Sequence, residues 1–335
     1  MSKDGLGRTI DYLRISVTDR CNLRCIYCMP EKGIQTKNHE EILTFEEIVR
    51  FVREAASMGI SHIRLTGGEP LVRLGLSDLI RDLHDIEGIN DISLTTNGIL
   101  LERYAQELKA AGLSRVNISL DTLDPDIYHT LTRLGNLGDV FRGIDAAFEA
   151  GLSPIKLNAV GIRSFMKDPY EFARLSLDRP LHVRFIEYMP IGHSFGVDGH
   201  GWAANDAISS EELFDTISHE AQRRRQGGLV ALSKDQAPFG AGPASYYKFE
   251  GALGTVGFIS PMSRHFCSSC NRLRLTSDGK LRPCLFSDKE LDARSALRSH
   301  DNQQVRKVLA EALRLKPEDH SAYISTEKDM AMIGG

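Results

Sequence analysis

DYLRISVTDRCNLRCIYCMP, residues 11–30, joins a β-rich run to three closely spaced cysteines. The run LRISV (13–17) predicts a strand, and Cys21, Cys25 and Cys28 follow it directly. Thiolate sulfur suits both iron–sulfur clusters and zinc, and three thiolates on one loop can hold three irons of a cubane while the fourth iron stays open. A structural zinc site or a redox pair remains an alternative, although zinc would need a fourth ligand, for which His39 is the near candidate.

A strand followed by a helical pattern recurs along the first half of the chain, which predicts parallel βαβ units and an α/β fold. The six predicted strands are LRISV (13–17), HIRLT (62–66), DISLTT (91–96), RVNISL (115–120), IKLNAV (155–160) and HVRFIEY (182–188). Between the first two, Thr44-x-x-Glu47 forms a capping box, apolar residues recur at helical spacing, and Gly59 supplies a C-cap. Further helices are predicted over Leu76–Leu83, Leu101–Leu108, Val140–Phe148 and Glu211–Gln222.

Polar residues alternate with apolar ones in these strands, whereas a strand buried on both faces should be almost wholly apolar. The polar pairs that share a face are Arg14 and Ser16, Arg64 and Thr66, Thr95 and Asn97, Asn117 and Ser119, and Lys156 and Asn158. The alternation indicates an incomplete or open barrel that holds a polar ligand, with its chemistry at the carboxyl ends of the strands. Arginine suits phosphate binding there, although most Arg and Lys side chains are surface charges.

Composition restricts the other possibilities. The chain has 335 residues, of which 41% are hydrophobic and 26% charged, as is usual for globular proteins. Its net charge of −4 gives no bulk attraction to nucleic acid or to an anionic membrane. No apolar stretch reaches the roughly 18 residues of a membrane span, and no signal peptide is recognisable, so we expect a cytoplasmic protein. We expect a first domain over 1–200 and a second over 201–335, with the glycine-rich loop GHSFGVDGHGW (192–202) near the boundary.

Thr66-Gly67-Gly68-Glu69-Pro70 ends the second predicted strand. Together with the C-x3-C-x2-C spacing and the aromatic Tyr27 before the last cysteine, it resembles the radical S-adenosylmethionine (SAM) superfamily. The resemblance implies a [4Fe–4S] cluster on Cys21, Cys25 and Cys28 whose open iron chelates SAM. It also implies that the GGE segment meets the amino group of SAM, and that one-electron reduction cleaves SAM to a 5′-deoxyadenosyl radical.

A second set of cysteines, Cys267, Cys270 and Cys284, lies in FCSSCNRLRLTSDGKLRPCLF. It lacks the fourth cysteine of a zinc ribbon, for which His265 could substitute. Spacing alone therefore leaves zinc and a second iron–sulfur cluster equally open.

Several long stretches resemble the GTP 3′,8-cyclase family of molybdenum-cofactor biosynthesis, the molybdopterin protein A family. They are DYLRISVTDRCNLRCIYCMP, RLTGGEPL, TTNG, NISLD, the Lys156 strand, RFIEYMPIG, FCSSCNRLRLTSDGKLRPCL and IGG at 333–335. The resemblance implies a partial (βα)6 TIM-like barrel with a C-terminal α+β extension that carries a second [4Fe–4S] cluster on Cys267, Cys270 and Cys284. It implies conversion of GTP to 3′,8-cyclo-7,8-dihydro-GTP, in which the radical abstracts H3′ of GTP and C3′ then attacks guanine C8.

Roles for individual residues follow from the same resemblance. The residues that would contact SAM are Tyr27, Gly68, Ser119, Met189 and Arg184. The residues that would bind GTP are Arg14, Arg64, Thr95, Lys156, Arg272, Leu273 and Arg274. Gly334 and Gly335 would reach into the active site. The family also implies a homodimer, a one-electron reductant protein and a downstream cyclic pyranopterin monophosphate synthase that uses the product.

Three other classes of protein remain open on the sequence. A radical SAM enzyme that modifies peptides could share both cysteine triads, but it need not have the Arg272-x-Arg274 pair or the glycine tail. A zinc-ribbon module that binds nucleic acid would need a basic face, which the net charge does not indicate. A purely structural protein would leave the polar strand faces unexplained.

Overall fold

Twelve strands form one continuous sheet in the computed structural model, which describes residues 2–189, 191, 206–320 and 330–334. The strands are β1 (Tyr12–Ser16), β2 (His62–Thr66), β3 (Asp91–Thr96), β4 (Arg115–Ser119), β5 (Ile155–Gly161), β6 (Leu181–Glu187), β7 (Val230–Ala231), β8 (Ser245–Lys248), β9 (Thr255–Ile259), β10 (Arg272–Leu275), β11 (Lys280–Arg282) and β12 (Leu291–Asp292). The helices are α1 (Phe45–Ser57), α2 (Leu76–His84), α3 (Leu101–Ala110), α4 (Pro125–Thr132), α5 (Leu137–Glu149), α6 (Pro169–Asp178), α7 (Ser210–Arg223), α8 (Ala293–Arg298), α9 (Asn302–Arg314) and α10 (Met330–Ile333). The predicted loop 192–202 and Gly335 lie outside the described residues.

Local sequence signals explain where the predicted helices begin and end. Thr44 accepts a hydrogen bond from the backbone N–H of Glu47, and the Glu47 side chain accepts one from the backbone of Thr44, so the predicted capping box is confirmed. Helix α1 ends before Gly59, whose φ of 105° lies in the region that favours glycine. The other predicted helices correspond to α2, α3, α5 and α7.

The sheet order shows how the two halves of the chain combine. The order is β12-β11-β10-β1-β2-β3-β4-β5-β6-β9-β8-β7, with β1 to β6 parallel and adjacent in chain order, so all six predicted strands are confirmed. From the second half of the chain, β10 pairs parallel with β1, and β9 pairs parallel with β6. The later strands thus extend the first sheet at both of its edges.

The two faces of each central strand differ in the way the alternation predicts. In β1, Leu13 and Ile15 are wholly buried in the main apolar core, which also contains Ile48 and Val52 of α1. Arg14 and Ser16 lie on the opposite face. The apolar face is therefore covered by helices and the polar face is left for a site. Within the described part of the chain, no helix combines the length and the hydropathy needed to cross a membrane.

Candidate active site

A cavity of about 350 Å³ is enclosed by the polar face of the sheet. This volume is within the range of small-molecule sites. Its lining includes residues of all six central strands and of β9 and β10, namely Tyr12, Arg14, Arg64, Thr66, Thr95, Thr96, Ser119, Asn158, Val160, Arg184, Ile186, Ile259, Arg272 and Arg274. It also includes all six cysteines of the chain. The sheet therefore brings two sets of thiols, more than 230 residues apart in sequence, to one space.

The loop that carries the first triad is held by the GGEP segment. The Gly68 N–H donates to Thr18 O at 2.8 Å, and the Glu69 N–H donates to Arg20 O at 2.8 Å. A Cβ on Gly68 would lie 2.3 Å from Arg20 O, so a side chain there would displace the loop. The sequence suggested that this glycine allows a ligand to approach; the structure shows that it also allows the approach of the cysteine loop itself.

Glu69 is fully buried, and its carboxylate accepts hydrogen bonds on both oxygens. The donors are the Thr96 hydroxyl at 2.8 Å, the Leu71 N–H at 3.0 Å and the Asn97 N–H at 2.6 Å. Burial raises the pKa of Glu69 to about 7, because the hydrogen bonds, which favour the charged form, do not outweigh desolvation. Glu69 thus ties the end of β2 to the end of β3 beneath the cysteine loop.

The thiols of the first triad face an environment that disfavours free thiolates. Burial raises the pKa of Cys21 to about 11 and that of Cys25 well above its usual range. A metal centre binds cysteine as thiolate and supplies the positive charge that offsets this cost. Three partly buried thiols on a cavity wall therefore fit the donor chemistry of an iron–sulfur cluster. Beside them, the Tyr27 hydroxyl donates to Asp121 Oδ2 at 2.6 Å.

The second triad lies on the same cavity in a more cationic setting. Burial raises the pKa of Cys270, but the neighbouring Lys316 and Arg272 outweigh it and lower the pKa to about 7. Burial raises the pKa of Cys267, whose Sγ is 3.4 Å from His320 Nδ1. A thiol with a lowered pKa beside a lysine is well suited to bind a metal centre as thiolate. Among the described residues, no group of three or more His, Cys, Asp or Glu side chains is arranged to hold a single metal ion.

A row of arginines crosses four adjacent strands. Arg64 of β2 pairs with Arg14 of β1, Arg14 with Arg274 of β10, and Arg274 with Arg282 of β11. Burial lowers the pKa of Arg64 and of Arg274 to about 10 in each case, and neighbouring arginines contribute to both shifts. Arg282, at one end, is neutralised by Glu290 at 2.5 Å. Buried like charges side by side are costly unless an anion binds them, so this row indicates an anionic ligand.

Several polar atoms on the cavity wall have no hydrogen-bond partner among the described residues. These buried atoms are Tyr12 OH, Thr95 Oγ1, Arg184 Nε and Arg274 Nη1. Buried polar atoms in folded proteins are almost always hydrogen-bonded. Their position on one cavity, near the arginine row, fits a polar ligand that would satisfy them.

Most of the residues predicted from sequence to contact SAM or GTP line this cavity. They are Arg14, Tyr27, Arg64, Gly68, Thr95, Ser119, Arg184, Met189, Arg272 and Arg274. Lys156 is 2% exposed and is not in the cavity lining; its ammonium donates to Phe239 O at 2.6 Å, and burial lowers its pKa to about 6. The Leu273 side chain packs in the apolar core on the opposite face of β10.

Gly334 lies against β1 and β2. Its carbonyl accepts a hydrogen bond from the Thr66 hydroxyl at 2.8 Å, and Thr66 lines the cavity. At φ 79°, a Cβ on Gly334 would lie 2.7 Å from Ser16 Cβ, so only glycine fits this position without strain. The segment 330–334 thus reaches the site that the sequence resemblance implies for the tail.

Sequence reasoning gave no role to several residues that line the cavity, among them Asp121, Tyr12, Lys316 and His320. Asp121 accepts the Tyr27 hydroxyl, and a polar residue directly after a predicted strand was a signal that could have identified it. Tyr12 lines the cavity from the start of β1. Lys316 and His320 contact the second triad from the segment after α9, and no local pattern pointed to them.

Comparisons with known proteins agree with this geometry. The family model of the Radical SAM superfamily matches residues 15–175, and that of Molybdenum Cofactor Synthesis C matches residues 181–322. A protein of Pelotomaculum thermopropionicum named GTP 3′,8-cyclase is 50% identical, with 99% of this chain and 100% of that protein covered. Its namesake from Alkaliphilus metalliredigens is 48% identical, with the same coverage of both chains.

Similarity also extends to the fold of a distant solved structure. The crystal structure of Streptococcus suis SuiB bound to S-adenosylmethionine matches with a TM-score of 0.58 at 15% identity, covering 90% of this chain and 68% of that one. At this identity the likeness concerns the fold alone. Full-length identity near one half is a far stronger relationship, and it shows that this chain belongs to the GTP 3′,8-cyclase family of the radical SAM superfamily.

Proposed function

We propose that this chain converts GTP to 3′,8-cyclo-7,8-dihydro-GTP, the first step of molybdenum-cofactor biosynthesis. The observation that carries the proposal is the single cavity shared by both cysteine triads and the arginine row. A radical initiator and its substrate must lie together, because reactive groups have to be held at close range and in a fixed orientation.

Two [4Fe–4S] clusters are part of the proposal. Cys21, Cys25 and Cys28 would hold the first, and Cys267, Cys270 and Cys284 would hold the second, whose open iron would be available to bind GTP. When bound, the first cluster would supply the electron for reductive cleavage of SAM to methionine and a 5′-deoxyadenosyl radical. In the proposed reaction H3′ of GTP would pass to that radical, a bond would form between C3′ and guanine C8, and a second electron from the external reductant, together with a proton, would complete the dihydro product. Three thiols per triad, and the absence of a fourth cysteine in each, support clusters with one open iron.

The chain's own residues would bind and orient the two small molecules. Arg14, Arg64, Arg272 and Arg274 offer guanidinium groups on the cavity wall that suit phosphate oxygens. Thr95 Oγ1 and Arg184 Nε have their hydrogen-bonding capacity free among the described residues and could meet the ligands directly. Lys156 would reach GTP only after leaving its contact with Phe239 O. Leu273 would contact GTP through its main chain, because its side chain lies in the core.

SAM would occupy the side of the cavity beneath the first triad. The residues proposed to contact it are Tyr27, Gly68, Ser119, Arg184 and Met189, all of which line the cavity. Tyr27 is fixed by its hydrogen bond to Asp121, so its ring has a defined place beside Cys28.

The finer architecture and the partners are also proposals. The lining of one cavity by residues of all six parallel strands supports a partial (βα)6 barrel, with residues 201–335 as the second unit. We propose a homodimer, an external one-electron reductant protein, and a cyclic pyranopterin monophosphate synthase that takes the product.

The experiment is anaerobic reconstitution with iron and sulfide, followed by mass-spectrometric product analysis with SAM, GTP and dithionite. The expected result is one 5′-deoxyadenosine and one cyclised nucleotide per turnover. Cys284→Ser is the matched control, since it should keep SAM cleavage by the first cluster but lose the cyclised nucleotide. Cleavage of SAM without any change in GTP in the wild type would refute the proposal and favour the peptide-modifying alternative.

A further inference from the structure

Lys316 follows α9 and is buried at 6% exposure beside the second triad. Its ammonium donates to Arg272 O at 2.8 Å, to Pro283 O at 2.9 Å and to Cys270 Sγ at 3.5 Å. An ammonium has three N–H donors, so these three acceptors satisfy it completely. No N–H donor of Lys316 remains for a ligand. In this respect Lys316 differs from the arginines of the cavity.

The three acceptors of Lys316 lie in the two separate segments that carry the cysteines of the second triad. Cys270 and Arg272 belong to the segment that enters β10, whereas Pro283 directly precedes Cys284 after β11. The β10–β11 hairpin separates these parts in sequence, and Lys316 connects them at the end where the thiols lie. Loss of this side chain would leave two main-chain carbonyls without their donor next to two cysteines.

The segment that carries Lys316 is itself anchored. Arg8 donates to Pro317 O at 2.7 Å and to Cys267 O at 2.8 Å, so one guanidinium links this segment to Cys267, the remaining cysteine of the second triad. The His320 ring stacks on Phe286 at 4.4 Å between centroids. The backbone around Lys316 therefore has a fixed position relative to the triad, and a substitution of its side chain tests the side chain alone.

We propose that Lys316 is a positioning residue for the second cluster: it sets the separation of Cys270 and Cys284 and donates an N–H···S hydrogen bond to the Cys270 thiolate. The inference rests on the second cluster of the proposed function. Hydrogen bonds to ligating sulfurs and nearby positive charge raise the reduction potential of iron–sulfur clusters, because they stabilise the more negative reduced state. Residues that orient metal ligands typically affect metal affinity about 10- to 100-fold.

The test uses the full chain with the first triad removed by Cys21→Ala, Cys25→Ala and Cys28→Ala, so that iron reports only on the second triad. Lys316→Met is compared with Lys307→Met, a control that removes an exposed lysine from α9, the helix that precedes Lys316. Iron and sulfide per chain are measured after anaerobic reconstitution, and the midpoint potential is measured by redox titration followed by electron paramagnetic resonance.

We expect Lys316→Met to lose iron to a chelator about tenfold more readily than the parent and to have a more negative midpoint potential, while Lys307→Met matches the parent. Lys316→Gln provides a second variant that can still donate to a carbonyl if Lys316→Met does not fold, and it too should have a more negative potential. A parent that holds a full cluster, with Lys316 variants indistinguishable from it, overturns this inference alone. A parent that binds zinc and no cluster overturns the second cluster and this inference with it.

Discussion

Arg64→Met should weaken GTP binding without destabilising the fold. Arg64 is 8% exposed, its Nε donates to Ser93 Oγ at 3.3 Å, and its guanidinium lies 5.5 Å from the centroid of the Tyr12 ring. Among the described residues it forms no ion pair with a carboxylate, and Arg14 is its neighbour on β1. Methionine keeps the apolar length of the side chain and removes only the charged group.

The expected sizes of the two effects follow from the role of the Arg64 charge with GTP bound and without it. A hydrogen bond to a charged group contributes about 1.5–3 kcal/mol, and about 1.4 kcal/mol corresponds to a factor of ten in Kd, so GTP should bind about 10- to 150-fold more weakly. In the absence of GTP, removing a buried charge that lacks a carboxylate partner relieves repulsion within the row, so the melting temperature should stay the same or rise.

Arg282→Met is the matched control, because Arg282 belongs to the same row but is paired with Glu290 and donates to Ser287 O at 2.5 Å. Removing one partner of a buried pair costs about 3–5 kcal/mol, so this variant should melt at a lower temperature. The assay is anaerobic calorimetric titration of the reconstituted enzyme with GTP, together with thermal unfolding by circular dichroism.

The reasoning would be refuted if Arg64→Met bound GTP with unchanged affinity, or if it lost as much stability as Arg282→Met. The first result would remove Arg64 from the substrate site. The second would show that its charge is already compensated within the protein. Cleavage of SAM without cyclisation should persist in Arg64→Met, since the first triad is untouched.

Three further outcomes are expected. Cys25→Ser should abolish SAM cleavage and halve the iron bound per chain, as measured by iron analysis and 5′-deoxyadenosine yield; full cleavage would exclude this cysteine as a cluster ligand. Deletion of Gly334 and Gly335 should sharply reduce the cyclised product, because Gly334 lies beside Thr66 on the cavity wall. Iron content, melting temperature and GTP binding should stay near normal, because Gly334 contributes no apolar side chain to the core. Wild-type turnover would show that the tail has no role. Burial, followed by the charges of Lys156 and Arg184, lowers the pKa of His182 to about 4. The contribution of neutral His182 to the free energy of unfolding should therefore be fully present above pH 6.5 and should fall by up to about 3 kcal/mol as the pH drops to 4. The variant His182→Gln should lose this pH dependence in thermal unfolding. An equal acid loss in His182→Gln would assign the effect to other groups.

Much of the fold was predictable because its signals are local. The six parallel strands follow from β-rich runs, and α1 follows from the capping box at Thr44 and from Gly59, whose positive φ suits glycine. Alternation of period two also predicted which face of each strand is polar, since successive side chains must point to opposite faces. The lining of the cavity by Arg14, Arg64, Thr95 and Ser119 agrees with that expectation.

The alternation of polar and apolar residues did not predict every contact of the polar side chains in these strands. Lys156 has the predicted polar position in β5, yet its ammonium is taken by Phe239 O from a loop more than 80 residues later. The sequence could not indicate this contact, because a loop without secondary structure carries no period that relates it to a strand. The domain division at residue 200 remains a prediction.

The sequence by itself determined the chemistry: two cysteine triads that suit metal, polar strand faces and parallel βαβ units. Only the tertiary structure decided that these belong to one site. The pairing of β10 with β1 places Arg274 beside Arg14 and brings the second triad to the first, and the segment after α9 brings Lys316 to Cys270. The physical reason is that the spacing of residues along a chain determines local geometry, whereas pairing between distant strands depends on the burial of the whole sheet, to which every helix and strand contributes.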